Sequence, residues 1–382
     1  MKSPSQLSIY VHIPFCTSKC RYCDFYSIKY DSSLADLYID ALAAEWNLIC
    51  KKKKLTEPQV LTLYFGGGTP SLLSLKQWER IGSVLISQLN SDSMIEFSVE
   101  CNPESFSPDL ASLFIQLGVN RLTFGVQSLC NKELSVAGRI HDAQTALNVL
   151  HEPGLKSFRS VGADLIYGLP SQSVDSLLTT LNQLTSSEYL SHCSAYELTI
   201  NENTPFGRHI EKLPLPDEDT VYEMTNVVRT FLLQKGFEQY EISNFARKYH
   251  RCIHNEVYWD HQSYIGLGCA AHSYLHPYRW ANVSDIKEYL KRINNDELPG
   301  SFQEYIGPDT LAKEMLFLGL RKTDGIDVRF FEERVGKKFS SFVDMAKIES
   351  FISMGWLNYT NARYLVTPSG LLFADTMARE LF

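Results

Sequence analysis

Three cysteines crowd one short stretch, Ile13-Pro14-Phe15-Cys16-Thr17-Ser18-Lys19-Cys20-Arg21-Tyr22-Cys23-Asp24-Phe25, at the spacing C-x3-C-x2-C. Four thiolates close a structural zinc site or a conventional iron–sulfur cluster. Three thiolates on a four-iron cluster leave one iron without a protein ligand, and an open iron can be chelated by a small molecule. Zinc would need a fourth ligand, and no Cys or His follows closely; His12 lies just upstream on an expected strand. Lys19, Arg21 and Asp24 make the segment too polar for a loop of merely buried thiols.

The rest of the composition is that of ordinary globular material. The 382 residues are 44% hydrophobic and 21% charged, enough for a large core and more than one domain. A net charge of −8 argues against a nucleic-acid footprint, which is normally basic. The one basic block, Lys51 to Lys54, follows an amphipathic segment and reads as a solvated helix end. The other six of the nine cysteines (Cys50, Cys101, Cys130, Cys193, Cys252 and Cys269) are scattered and read as small buried hydrophobes. Unpaired thiols point to a reducing compartment. With no apolar signal region and no run near the roughly 18 apolar residues of a spanning helix, a cytoplasmic protein is expected.

The first half alternates β-rich runs with helical periodicity. Strands are expected at Leu7 to Ile13, Val60 to Phe65, Ile95 to Glu100, Arg121 to Gln127, Val161 to Tyr167 and Ser194 to Ile200. Leu34, Leu37, Tyr38, Ala41, Leu42, Trp46 and Ile49 mark the buried face of the first helix. Leu75 to Leu89, Pro108 to Leu117, Asp142 to Leu150 and Val174 to Leu184 fill further gaps. Six β–α repeats imply a parallel sheet with right-handed crossovers, open or closed. Polar residues at the ends of the strand runs favour a barrel, whose mouth gathers them.

Three units are expected. The β–α repeats fill residues 1–235, ending after a stiff Lys212-Leu-Pro-Leu-Pro216 link and a helix from about Asp217 to Gln234. An extension over 236–300 holds an irregular, aromatic-rich stretch from Gly236 to Trp280. The last unit, 301–382, shows helices at Leu311 to Leu320 and Ile348 to Leu357, then a winged-helix-like ending from Tyr364.

Several residues at the strand ends are candidates for chemistry. Glycines in Gly66-Gly67-Gly68-Thr69-Pro70 let backbone approach a ligand closely, although a tight turn alone explains them as well. Glu100 ends an apolar strand, where a carboxylate is costly unless paired or bound. Gln127 and Asp164 are similar cases, and each alone reads equally as a capped turn residue. Arg139 reads equally as a solvent-facing helix residue.

C-x3-C-x2-C with Tyr22 before the last cysteine resembles the radical S-adenosylmethionine (SAM) superfamily. The resemblance implies an incomplete (β/α)6 barrel in which SAM chelates the open iron of a [4Fe–4S] cluster, as a source of a 5′-deoxyadenosyl radical. The segments Tyr10-Val-His-Ile-Pro-Phe-Cys16, Gly66-Gly-Gly-Thr-Pro70, Val99-Glu-Cys-Asn-Pro-Glu104, Gly125-Val-Gln-Ser128 and Asp164-Leu-Ile-Tyr-Gly-Leu-Pro170 resemble, in that order, the HemN/HemW family. That family implies an extension and a small, mainly helical C-terminal domain behind the barrel. By position, Cys16, Cys20 and Cys23 would ligate the cluster. Tyr10, Gly67, Gly68, Thr69, Glu100, Gln127, Arg139 and Asp164 would line the SAM pocket.

The family divides into an oxygen-independent coproporphyrinogen III oxidase, which decarboxylates two propionates, and a haem chaperone. The decarboxylase carries a further cysteine two residues past the last cluster ligand, where this chain has Phe25, and a long N-terminal arm that this chain lacks before Cys16. The stretch His254-Asn255-Glu256-Val257-Tyr258-Trp259 matches the chaperone branch's H-N-x-x-Y-W motif, linked there to haem. A neutral imidazole is a competent axial ligand, and Tyr258 and Trp259 suit a porphyrin face. Core packing explains such a histidine too, and Cys252, His250, His261, His272 and His276 are rival ligands nearby. The resemblance therefore implies a chaperone binding a [4Fe–4S] cluster, SAM and haem, with Asn255 beside His254 at the haem. It would hand haem to membrane respiratory proteins, touch the membrane peripherally at most, and bind no nucleic acid. Homodimerisation is left open, and no side chain is assigned as a catalyst.

Overall fold

A computed structural model describes residues 6–381. Strands β1 (Gln6–Ile13), β2 (Gln59–Gly67), β3 (Glu96–Cys101), β4 (Arg121–Gln127), β5 (Ser160–Tyr167) and β6 (Leu190–Glu197) pair in parallel, each with its neighbour in sequence. Helices α1 (Ser32–Lys53), α2 (Leu75–Val84), α3 (Pro108–Gln116), α4 (Asn131–Ala137), α5 (Ala143–Leu150) and α6 (Val174–Leu184) fill the crossovers. Side-chain caps start these helices where the sequence offers them. Asp31 accepts the Leu34 amide at 2.8 Å, and Ser74 with Gln77 closes a reciprocal capping box at α2. The basic block Lys51–Lys53 sits in the last turn of α1, where it complements the helix dipole.

Five of the six expected strands lie where the hydrophobic pattern puts them. The sixth runs over Leu190–Glu197, four residues ahead of the expected start. Its polar residues Ser191, His192 and Ser194 are buried, which hides a strand from a hydrophobicity reading. Ser191 bonds the Val161 backbone, and His192 Nε2 lies 2.7 Å from the Tyr240 hydroxyl, while His192 Nδ1 is buried without a partner.

The expectation of irregular chain from 236 to 280 is corrected. After α7 (Glu218–Gln234), the chain adds β7 (Glu238–Gln239) and β8 (Asn244–Ala246) outside β6. It then crosses through α8 (Ile253–Trp259) to the other flank. There β9 (Tyr264–Leu267) pairs in parallel with β1, followed by antiparallel β10 (His272–Leu275), β11 (Tyr278–Asn282) and β12 (Gly300–Tyr305). One twelve-stranded sheet results, in the order β12-β11-β10-β9-β1-β2-β3-β4-β5-β6-β8-β7. It stays open, with β12 and β7 as its edges, in keeping with an incomplete barrel. These strands are two to six residues long, too short for a clear alternation.

The flank is tied to α1 by a buried carboxylate. Glu45 accepts from the Gly268 amide at 2.7 Å, Asn282 Nδ2 at 2.6 Å and the Tyr289 hydroxyl of α9 (Ile286–Asn294) at 2.7 Å. Burial pushes its pKa up to about 7 against these three bonds. Beyond β12, helices α10 (Pro308–Leu320), α11 (Val328–Val335), α12 (Met345–Ser353) and α13 (Ala374–Leu381) enclose a second core with Phe331, Phe351 and Met377. A small sheet of β13 (Ile326–Asp327), β14 (Leu357–Thr360) and β15 (Arg363–Val366) completes the winged-helix-like ending. Among the described residues no helix is long and apolar enough to cross a membrane.

Candidate functional site

The cysteine loop leaves the C-terminal end of β1 and is pinned at several points. Ile28 and Tyr30 return their amides to the carbonyls of Pro14 and Cys16, at 2.7 and 3.0 Å. The Arg21 amide bonds Ala137 O at the end of α4, and Arg21 O accepts from Phe206. Cys16, Cys20 and Cys23 thereby face one cavity of about 630 Å3. The Thr69 hydroxyl lies 3.7 Å from Cys16 Sγ, and Arg139 Nη1 lies 3.4 Å from Cys20 Sγ. Burial pushes the Cys23 thiol up to about 11.

Gly67, Gly68, Thr69, Glu100, Gln127, Arg139 and Asp164 line the same cavity. The glycine turn is demanded by packing. Gly67 has φ +107°, and a Cβ there would lie 2.4 Å from the His12 ring; one at Gly68 would lie 2.7 Å from the carbonyls of Ile13 and Phe15. The amides of Gly67, Gly68 and Thr69 are engaged by Glu100, Ile13 O and Phe15 O. The turn therefore has no free amide to offer a ligand.

Gln127 reaches the cavity through a β-bulge. The β4–β5 register shifts between Gly125 and Gln127, and Gln127 adopts φ +69°. Two carboxylates stand in the cavity wall. Glu100 accepts from the Tyr64 hydroxyl at 2.7 Å and the Gly67 amide at 3.1 Å, yet burial leaves its pKa raised. Burial, and then the charge of Glu100, push Asp164 up to about 7. Opposite them, Arg139 donates to Asn102 Oδ1 and Gly125 O, both at 2.7 Å, while its Nε is buried without a partner. Burial opposes its charge, but Tyr22, Cys20 and Glu104 outweigh that, and the guanidinium stays protonated.

These features would suit a cluster-bound amino acid derivative. Three soft donors sit at one end, a cation with an orphaned N–H lies beside them, and a carboxylate pair awaits positive charge. The sequence missed Tyr64, Asn102 and Cys101, which also serve this wall. Cys101 had only its apolar surroundings to read, and Tyr64 and Asn102 act through partners 36 and 37 residues away.

Two expectations fare differently. Tyr10 does not line the cavity: its ring packs between His12 and Tyr64, and its hydroxyl lies 3.0 Å from His12 Nδ1. His12 is also held at Nε2 by Tyr26 O at 3.0 Å, so neither ring nitrogen is open to a metal beside the thiols.

The H-N-x-x-Y-W stretch forms α8 and closes the opposite end of the strands. Buried Glu96 accepts the Ile253 and His254 amides at 3.1 and 2.9 Å, capping the helix, and lies 3.3 Å from Arg159 and 3.8 Å from Arg121. His254 is held at both ring nitrogens. Its Nδ1 lies 2.7 Å from Thr62 Oγ1 and its Nε2 2.8 Å from the Tyr258 hydroxyl. Burial lowers its pKa to about 3, so the ring is neutral, and it has no free nitrogen in this conformation. Of the other three residues, only Tyr258 meets it. Asn255 is half-buried, Tyr258 lines a second cavity of about 480 Å3, and Trp259 lines a separate one.

Comparison with known proteins agrees with this geometry. Residues 10–184 match the Radical SAM superfamily and residues 306–373 the HemN C-terminal domain. A Bacillus subtilis protein named heme chaperone HemW is 32% identical over 96% of this chain and 97% of its own length. The Escherichia coli protein of that name is 36% identical over 70% of this chain and 69% of its own. In three dimensions, Escherichia coli coproporphyrinogen III oxidase (HemN) superposes with a TM-score of 0.86 at 22% identity, over 99% of this chain and 89% of that one. The chain belongs to the HemN/HemW family of the radical SAM superfamily, beside relatives named HemW.

Proposed function

We propose that this protein is a haem chaperone that binds a [4Fe–4S] cluster, SAM and haem and delivers haem to membrane respiratory proteins. The observation that carries the reading is the wall of the first cavity, three thiols beside Arg139 and the Glu100–Asp164 pair, in a chain whose relatives are named heme chaperones.

Cys16, Cys20 and Cys23 hold the cluster in this reading. When bound, the cluster supplies an electron to SAM. Arg139 offers its unpartnered Nε–H to the SAM carboxylate. Glu100 and Asp164 favour a cation electrostatically in a wall largely shielded from water. Gln127 reaches in from the bulge, while Tyr10 supports this floor from beneath by its contact with Tyr64. Phe25, 61% exposed at the cavity rim, stands where the decarboxylase branch has its extra cysteine.

The test is an anaerobic assay on protein with its cluster reconstituted. SAM, a reductant and coproporphyrinogen III are added in one arm, and haem is titrated in another. Stoichiometric haem binding without protoporphyrinogen formation is expected. Steady decarboxylation with weak haem binding would replace the chaperone reading with the oxidase.

A further inference from the structure

Among the described residues, one charged donor reaches a thiol of the first cavity. Arg139 Nη1 lies 3.4 Å from Cys20 Sγ, whereas Cys16 meets the neutral Thr69 hydroxyl at 3.7 Å. The three thiols are therefore not equivalent.

The contact is set by the backbone on both sides. Helix α4 is capped by Gly138, whose φ of +78° lets the Arg139 amide fold back to Leu134 O at 2.9 Å. The residue after Cys20 docks on the same helix end. The Arg21 amide bonds Ala137 O at 3.0 Å, and Arg21 Nη1 bonds Val136 O at 3.3 Å. A Cβ at Gly138 would lie 3.1 Å from Arg21 Cγ, so a bare backbone is what lets the loop and the helix end touch. Cys20 and Arg139 each stand one residue from that contact, which fixes their separation.

The guanidinium is also held from behind. Nη2 donates to Asn102 Oδ1 and Gly125 O, both at 2.7 Å, and lies 3.4 Å from His141 Nδ1. A Cβ at Gly125 would come 3.0 Å from Asn102 Oδ1 and 3.5 Å from Arg139 Nη2, so this approach also needs glycine. With Nη2 held, the planar group presents Nη1 to Cys20 in a set direction.

Charge decides what such a contact does. Arginine stays charged throughout the range in which proteins are folded. A cluster on the three thiolates gains one negative charge when it takes up an electron. A fixed cation and an N–H on a ligand sulfur favour that more negative state, and charge and hydrogen bonds at the sulfurs are among the levers that set such potentials. Arg139 lies in a cavity wall, where its charge is screened less than one in open solvent.

We propose that Arg139 raises the reduction potential of the bound cluster through Cys20, bringing it within reach of an external one-electron donor. The proposal rests on Cys16, Cys20 and Cys23 as the cluster ligands and goes beyond that assignment, because it gives Arg139 an effect before SAM arrives.

The potential is measured on full-length, cluster-reconstituted protein without SAM, by dithionite titration followed by electron paramagnetic resonance. Omitting SAM keeps any role of Arg139 in holding SAM out of the readout. Iron and sulfide content and thermal unfolding show whether each variant is loaded and folded. Arg139→Met is expected to lower the ratio of reduced to oxidised cluster at a given donor potential at least tenfold, about 59 mV for one electron. Arg139→Lys, which keeps the charge, should recover more than half of that shift. Arg21→Met removes an exposed cation beside Cys20 and should change the ratio less than twofold.

A wild-type potential in Arg139→Met overturns the inference and leaves the cluster ligands standing, and so does an equal fall in Arg21→Met. If Arg139→Met takes up no cluster, Arg139→Gln replaces it as the neutral variant. Failure of both to load would assign Arg139 to holding the cluster rather than to its potential, which also overturns the inference. If the wild type takes up no four-iron cluster, the thiol assignment itself falls.

Discussion

The ring of Tyr64 stacks on that of His254, with centroids 5.0 Å apart and planes 26° apart, while the Tyr64 hydroxyl donates to Glu100 at 2.7 Å. One side chain therefore touches a carboxylate of the thiol cavity and the histidine that closes the far end of the sheet. Tyr64→Phe keeps the stack and removes the hydrogen bond. A bond to a charged group contributes about 1.5–3 kcal/mol, so SAM binding to the cluster-loaded variant is expected to weaken roughly tenfold or more. Unchanged affinity by isothermal titration would show that Glu100 does not depend on Tyr64 for its placement.

The two carboxylates predict a pH dependence for the same binding. Asp164, at about 7, is protonated at pH 6 and mostly ionised at pH 8. SAM carries a fixed positive charge on its sulfonium, so its affinity should rise from pH 6 to pH 8. Asp164→Asn should flatten the profile; a profile unchanged in that variant would remove Asp164 from the electrostatics of the site.

The thiols separate by position. Cys16→Ala, Cys20→Ala and Cys23→Ala should each abolish the four-iron absorption after reconstitution. Cys252→Ala should keep it, since that thiol is buried at the far end beside Glu96, with Sγ 3.5 Å from Oε1. A full four-iron spectrum in Cys20→Ala would sink the ligand assignment.

His254 is expected to matter to stability before it matters to haem. His254→Ala removes two hydrogen bonds and a ring stacked between α8 and the sheet, a loss of about 2–4 kcal/mol. Denaturant unfolding should register that cost. The Soret position of bound haem should stay put, and a shifted band would return His254 to the iron.

Glu45 gives a stability profile of opposite sense to an ordinary ion-paired carboxylate. Its folded pKa, about 7, lies above the unfolded value near 4.5, so the folded state holds the extra proton between them. Its contribution is fully present below pH 4.5 and is lost as pH rises through 7, by up to about 3 kcal/mol. The stability gap between wild type and Glu45→Gln should therefore narrow from pH 5 to pH 8. A gap that stays flat would mean Glu45 is ionised throughout.

How far all this was legible in the sequence depended on whether a signal was local. The cysteine spacing, the first five strands and the segments around Glu100, Gln127 and Asp164 are local patterns, and the structure gathers those residues around one cavity. What escaped depends on distance along the chain. The partner of His254 Nδ1 is Thr62, 192 residues earlier, so its occupied ring cannot be read from H-N-x-x-Y-W alone. Tyr10 belongs to a motif at the cavity by sequence, but strand alternation turns its ring toward His12 and Tyr64. His261 is one histidine among several by sequence, and its contact with Glu314, 53 residues later, cannot be read there either.

The outermost strand, β12, exposes all six of its residues, although its inner edge pairs with β11. Its neighbours toward β1 are partly covered, and β1 and β2 are largely buried on both faces. Opening of such a sheet begins where the fewest apolar contacts hold it. Amide protons of Phe302 and Glu304 should then trade with solvent long before those of Ile9 or Leu63. The sheet has a worn hem and a tight centre, and the cysteine loop grows from the tight part.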